Sequence, residues 1–217
     1  EWAASIHPYD PQALDRLDAA AAGGARAIKW LPSAHGIDPA SAQCDAFYAR
    51  LAALRMPLIT HAGAERAVTG HGEDFGNPLR LRRPLDAGVR VVVAHCASLG
   101  EGWDLDHGET SKLSNFELFA RLMDEARYRS NLFADISAIV QGNRMSVIPT
   151  LLARRDWPPP GPARQGFETL LLRSLVLAAT DLSFSPEPAP AVRLAVLLDV
   201  LTRRLGRHAG LRRLINA

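Results

Sequence analysis

Gly88-Val89-Arg90-Val91-Val92-Val93-Ala94-His95 carries the strongest strand signal in the chain. β-Branched residues fit a pleated, extended backbone. The core of the run, Val91 to Ala94, has no polar residue to give to solvent. A strand with one wet face would alternate, so this one is expected to be covered on both faces, as in a parallel sheet. Gly88 before it reads as the end of a helix, and His95 marks where the apolar run stops.

Working outward, similar short runs recur at Ala3–Ile6, Ala27–Leu31, Pro57–His61 and Leu132–Ile136. A sixth candidate is Leu170–Leu177. Amphipathic stretches lie between them. Asp10-Pro11 predicts an N-cap with proline at the first helical position, with Leu14, Leu17 and Ala21 inward and Gly23-Gly24 as the stop. Further helices are predicted over Asp45–Leu54, Pro78–Ala87 and Asn115–Arg127. Strands separated by helices mean βαβ units and a parallel α/β sheet. The chain then reaches Trp157-Pro158-Pro159-Pro160-Gly161-Pro162, which is neither helix nor central strand and reads as a linker or surface loop. Helices are predicted beyond it at Ala191–Leu205 and Leu211–Ile215.

Composition narrows the function classes. The chain has 217 residues, 47% hydrophobic and 22% charged, which excludes wholesale disorder and fits one barrel-sized domain over residues 1–217. Arginine and lysine number 25 against 23 acidic residues, a net +2, and Lys29 and Lys112 are the lysines. No basic-aromatic patch accompanies that balance, so a nucleic-acid partner is disfavoured. Two cysteines, Cys44 and Cys96, do not make a disulfide scaffold or a cysteine zinc site. No apolar run approaches the roughly 20 residues a bilayer span needs, and no signal peptide opens the chain, so a cytoplasmic protein without a membrane partner is expected.

Chemistry is expected where polar residues fall at strand ends, because barrels and doubly wound sheets gather their sites there. His61 ends one strand and His95 another. Each could be a strand-end histidine satisfied by backbone, or a neutral imidazole ligand for a zinc-like ion. The two together weigh more than either alone, since neighbouring strands sit about 5 Å apart. Small residues after His61 leave room for water. Lys29 either snorkels outward or faces a pocket. Asp135 lies near the end of the fifth run, and Asp181 either caps a helix or ends a last strand as a carboxylate ligand and proton acceptor.

Five segments resemble the amidohydrolase superfamily, closest to the branch that includes aminocarboxymuconate-semialdehyde decarboxylase. They are Gly24-Ala25-Arg26-Ala27-Ile28-Lys29-Trp30-Leu31-Pro32, Pro57 to Gly63, Gly76-Asn77-Pro78-Leu79-Arg80, Val91 to Cys96, and Phe133 to Ala138. Their order spans residues 1–157, and residues 158–217 diverge. The resemblance implies a (β/α)8 barrel of the TIM type, with divalent metal, zinc above others, at the carboxyl ends of its strands. It implies metal binding by His61, metal binding and proton acceptance by Asp181, and catalysis by His95. Lys29 and Asp135 would line the substrate pocket.

The first-strand His-x-His pair of that family does not occur here, and the six candidate strands map onto strands three to eight, so an incomplete barrel is expected. The last strand has Ala179-Thr180-Asp181-Leu182-Ser183 where the family tends to have Gly-Ser-Asp-x-Pro. The implied activity is metal-activated hydrolysis of a C–N or C–O bond in a small molecule. The alternatives are nonoxidative decarboxylation and an inactive, truncated barrel. Weak metal retention is expected unless His95 or a further ligand such as His7 completes the shell, and open sheet edges predict association into a homo-oligomer.

Overall fold

Val91 to Ala94 do form a strand, and it lies inside a parallel sheet. The computed structural model describes residues 2–66, 68 and 72–154. It divides the chain into two compact units, residues 1–137 and 138–217. The first unit contains strands β1 (Trp2–Ala4), β2 (Ala25–Trp30), β3 (Leu58–His61), β4 (Val91–Ala94), β5 (Glu101–Trp103), β6 (Lys112–Ser114) and β7 (Leu132–Ala134). Its helices are α1 (Ala13–Ala22), α2 (Pro32–His35), α3 (Asp45–Ala53), α4 (Arg82–Asp86) and α5 (Asn115–Asp124). The described part of the second unit holds the 3₁₀ turn Met145–Val147 and helix α6 (Ile148–Ala153), with Ile148, Leu151 and Leu152 buried.

The main sheet runs β1-β2-β3-β4-β7, and every neighbouring pair is parallel. Each new strand is laid beside the last, with no reversal of order. A doubly wound sheet reverses at a switch point, so this arrangement is a segment of a (β/α)8 barrel. The strands β5 and β6 form a separate antiparallel hairpin. Three residues per strand left it without a readable period in the sequence.

Register separates the two faces. Ile28, Leu58, Val91 and Leu132 form one row, and Trp30, Thr60 and Val93 the next on the same side. All seven are buried. This is the helix side, because the Trp30 ring packs 5.4 Å from Phe47 and 5.9 Å from Tyr48 of α3. Both polar tips are satisfied: Trp30 Nε1 donates to the Ile6 carbonyl at 2.8 Å and Tyr48 Oη to the Pro39 carbonyl at 2.9 Å. The opposite row is Lys29, Ile59, Val92 and Phe133, half-buried except for Phe133 at 46% exposed. In a barrel this is the interior face.

Several predicted boundaries shift for local reasons. Helix α1 starts at Ala13, not at Pro11. Asp10 makes its own turn first, accepting Gln12 N–H on Oδ1 at 2.8 Å and Ala13 N–H on its carbonyl at 2.8 Å. Ala13 and Leu17 therefore face inward while Leu14 is exposed. The predicted helix Pro78–Ala87 is a 3₁₀ turn over Pro78–Leu81 followed by α4. Pro84 has no N–H to give the Arg80 carbonyl, so one continuous helix is not sustained. Helix α5 has the capping box Ser114–Glu117 and ends at Asp124, with Leu118 buried beside Phe116, Phe119 and Leu122. The predicted strand Leu170–Leu177, the Pro-rich segment and the two C-terminal helices lie outside the described residues.

Candidate active site

His61 is the last residue of β3 and pairs in register with Ala94. It shares a face with Ile59, so its side chain belongs to the barrel-interior side, where it is 6% exposed. Alternation along β4 puts Val92 and Ala94 on that interior side, and would send His95 towards the helices. It does not go there. The backbone of His95, Cys96 and Ala97 is left-handed, with φ of 57°, 52° and 50°. This three-residue turn swings His95 back, and its ring centroid lies 5.8 Å from that of His61, edge to face at 67°. Left-handed backbone is unfavourable for residues with a Cβ and persists only where neighbours hold it.

Asp135 holds it. It follows β7 on the interior face, and its N–H bonds the Val93 carbonyl at 3.1 Å. Asp135 Oδ1 accepts His95 N–H at 3.0 Å, Ser137 N–H at 2.9 Å and the Ser137 hydroxyl. Those hydrogen bonds hold the Asp135 carboxyl below the usual range, although partial burial pushes the other way and is the larger single influence. The Cys96 thiol donates to the Asp135 carbonyl at 3.2 Å. Burial pushes that thiol up to about 12, so it stays protonated and structural.

The loop after β3 is fixed to the loop after β4 by backbone. Ala64 N–H donates to the Leu99 carbonyl at 2.9 Å, and within the β3–β4 connection Gly63 N–H donates to the Gly76 carbonyl at 2.8 Å. Asn115 Nδ2 on α5 also reaches the Leu99 carbonyl, at 3.1 Å, and Asn77 Nδ2 reaches the Trp103 carbonyl at 2.7 Å. Thus the hairpin and α5 stand behind the two histidines. Gly63 is required there: its φ is +89°, and a Cβ would sit 2.7 Å from the Leu99 carbonyl oxygen. The small residue after His61 serves this close backbone approach, a different reason from the water space read from the sequence.

That loop also delivers Glu65. Its side chain is 8% exposed, and Oε2 lies 3.7 Å from His61 Nε2. Sequence reasoning missed this residue. The available signal was an acidic side chain four positions after a strand-end histidine, in the otherwise small, uncharged run Ala62-Gly63-Ala64.

Lys29 is on the interior face, half-buried, with no hydrogen bond or ion pair among the described residues. Burial lowers its pKa, and the nearby charges of Asp135 and Glu65 oppose that shift. His35, at the end of α2, is likewise pushed down by burial, with His7 and Lys29 adding to it. His7 is not available as a ligand. Its Nε2 lies 2.9 Å from the His35 carbonyl, which can only accept, and Nδ1 takes Tyr9 N–H at 3.3 Å.

The described residues therefore bring together His61, His95 and Asp135, with Lys29 within electrostatic reach of Asp135 and Glu65 on the same side. Asp181 lies outside them. His61 Nε2 and Glu65 Oε2 suit a zinc-like ion in type and spacing, since two tetrahedral donors with bonds of about 2.1 Å sit about 3.4 Å apart. No group of three metal-binding side chains occurs among the described residues. No helix among them is long and apolar enough to cross a membrane.

A family model described as Amidohydrolase matches residues 1–201. Comparison with curated proteins and with solved structures gives no match.

Proposed function

The chain belongs to the amidohydrolase family, and from that premise we propose a metal-dependent hydrolase acting on a C–N or C–O bond of a small molecule. The observation that supports this reading most is the meeting of His61 and His95, 5.8 Å apart between ring centroids, beyond the carboxyl ends of adjacent parallel strands. His61 Nε2 and the Glu65 carboxylate would hold the ion, with Asp181 as a third donor. A divalent ion of the zinc class, when bound, lowers the pKa of a coordinated water towards neutrality. Asp181 would serve as the acceptor of a proton from the attacking water. His95 would work from the substrate side, its Nε2 taking up that proton and passing it to the leaving group. Lys29 and the second carboxylate oxygen of Asp135 face the substrate.

A second reading is a barrel without turnover, kept for binding. The absence of a three-donor group among the described residues favours it. Zinc titration by calorimetry, combined with a panel of esters, lactones and amides, separates the two. Hydrolysis that needs zinc and is lost in His61→Ala supports the enzyme; zinc binding without any turnover supports the second reading. Product analysis showing carbon dioxide release from an aromatic or unsaturated acid would redirect the assignment to decarboxylation, and absence of zinc binding would sink the metal-dependent reading.

A further inference from the structure

We propose that Asp135 and Ser137 form a positioning pair that fixes His95 as the Nδ1–H tautomer and leaves Nε2 as the bare ring nitrogen beside His61. The proposal rests on the reading of His95 as a working group of this site, and deepens it.

Each hydrogen bond allows one direction. His95 Nδ1 lies 2.7 Å from the Ser137 carbonyl oxygen, and a carbonyl oxygen only accepts. The proton must therefore be on Nδ1. The same ring nitrogen is 2.8 Å from Ser137 Oγ. That hydroxyl gives its own proton to Asp135 Oδ1, which leaves an oxygen lone pair facing Nδ1–H. Nδ1–H is thus shared between two acceptors of one residue. A neutral imidazole carries one N–H, so Nε2 is the bare nitrogen. Nε2 has no partner among the described residues, and the ring stands edge to face with His61.

The same carboxylate oxygen controls the backbone. Asp135 Oδ1 takes the N–H of His95, the first residue of the left-handed turn, and the N–H of Ser137. One atom therefore fixes where His95 starts, where Ser137 sits and which way the Ser137 hydroxyl points. Alternation along β4 would have hidden the imidazole under the helices. The turn and its carboxylate anchor expose it to the interior with a set tautomer. A carbonyl partner alone would fix the ring but not the turn. Asp135 does both, as outer-shell carboxylates do for working histidines.

The test is long-range ¹H–¹⁵N spectroscopy of the ring nitrogens on the full chain without metal or substrate, at about pH 9, above the usual histidine pKa of about 6.5. The expected spectrum gives His95 a protonated-type Nδ1 and an unprotonated-type Nε2. Asp135→Ala is expected to move His95 towards the Nε2–H form that free imidazole side chains favour. Ser137→Ala should shift it part of the way, and Ser137→Thr should restore the original pattern. A native chain whose His95 is already the Nε2–H form overturns the proposal, and so does a folded Asp135→Ala chain with an unchanged tautomer. If Asp135→Ala does not fold, the native spectrum and the same measurement on Asp135→Asn decide. Failure of the hydrolase reading would appear separately, as no turnover with the Nδ1–H tautomer intact.

Discussion

Gly63→Ala is expected to destabilise the chain far more than Gly24→Ala, although both glycines have nearly the same left-handed backbone. Their φ values are +89° and +87°. Forcing a Cβ into that conformation costs about 1–2 kcal/mol, offset by about 0.4–1 kcal/mol because alanine restricts the unfolded chain. At Gly24 nothing lies within 4 Å of the added carbon, so the net cost should be about 0.5–1 kcal/mol. At Gly63 the added carbon meets the Leu99 carbonyl oxygen at 2.7 Å and the Ala97 carbonyl oxygen at 3.2 Å. Neither is a flexible tip. Ala97 belongs to the turn that carries His95 and Leu99 follows just after it, and Ala64 N–H already ties the two loops together at 2.9 Å. Overpacking of this kind adds about 1–3 kcal/mol, for a total of about 1.5–4 kcal/mol. For a chain of this size that lowers Tm by about 3–16 °C, against at most about 4 °C for Gly24→Ala. Thermal melts followed by circular dichroism, with urea titrations for the free energies, measure both. Equal losses for the two variants would refute the reasoning, because backbone conformation alone would then account for Gly63. The site should respond as well: the His61–His95 ring cross-peaks expected for the native chain should weaken in Gly63→Ala and persist in Gly24→Ala.

Trp30→Phe keeps an aromatic ring against Phe47 and Tyr48 but leaves the Ile6 carbonyl without its donor, so urea denaturation should show a loss of about 1–3 kcal/mol. Lys29→Met should raise stability at pH 7, because burial holds the lysine pKa below its unfolded value and the charged form is the penalised one. The gap should close as pH rises towards about 10.4, where the unfolded lysine also loses its proton; a gap that widens with pH would contradict the burial argument. Asp104, Asp106 and Asp135 all have lowered pKa values, the first two chiefly through Arg121 and Arg82 and the third through its hydrogen bonds to Ser137 and His95. Their contribution is present above about pH 4 and should be lost as pH falls through the lowered values, visible as a falling Tm in acid. Glu65→Gln should weaken zinc binding by about tenfold or more while leaving Tm in chelator nearly unchanged, and unchanged zinc affinity would remove Glu65 from the donor set.

The parallel sheet was legible because Val91 to Ala94, Pro57 to His61 and Ala27 to Trp30 are apolar runs that helices must cover, and that constraint survives small errors in boundary. The starts and stops were less legible. Asp10 carries the residue type of a helix cap, but its carboxylate is used two residues earlier than the helix needs, and only the competition among local hydrogen bonds settles which turn wins. The site shows the same division more sharply. His61 is where the period-two pattern of β3 puts it. His95 is not: strand alternation assigns it to the helix side, and a left-handed turn reverses that assignment. No residue between 95 and 97 is a glycine, so nothing in the local sequence announces positive φ. What makes the turn tolerable is Asp135, forty residues away, and Gly63 on the neighbouring strand's loop. A constraint supplied across the sheet leaves no local trace, which is also why buried Glu65 reads as an ordinary loop acid until His61 Nε2 is placed beside it. The residues that aim the chemistry are thus the ones a chain-order reading finds last. Strand ends indicate where a site lies; the side chains reaching in from other loops determine which atoms it presents.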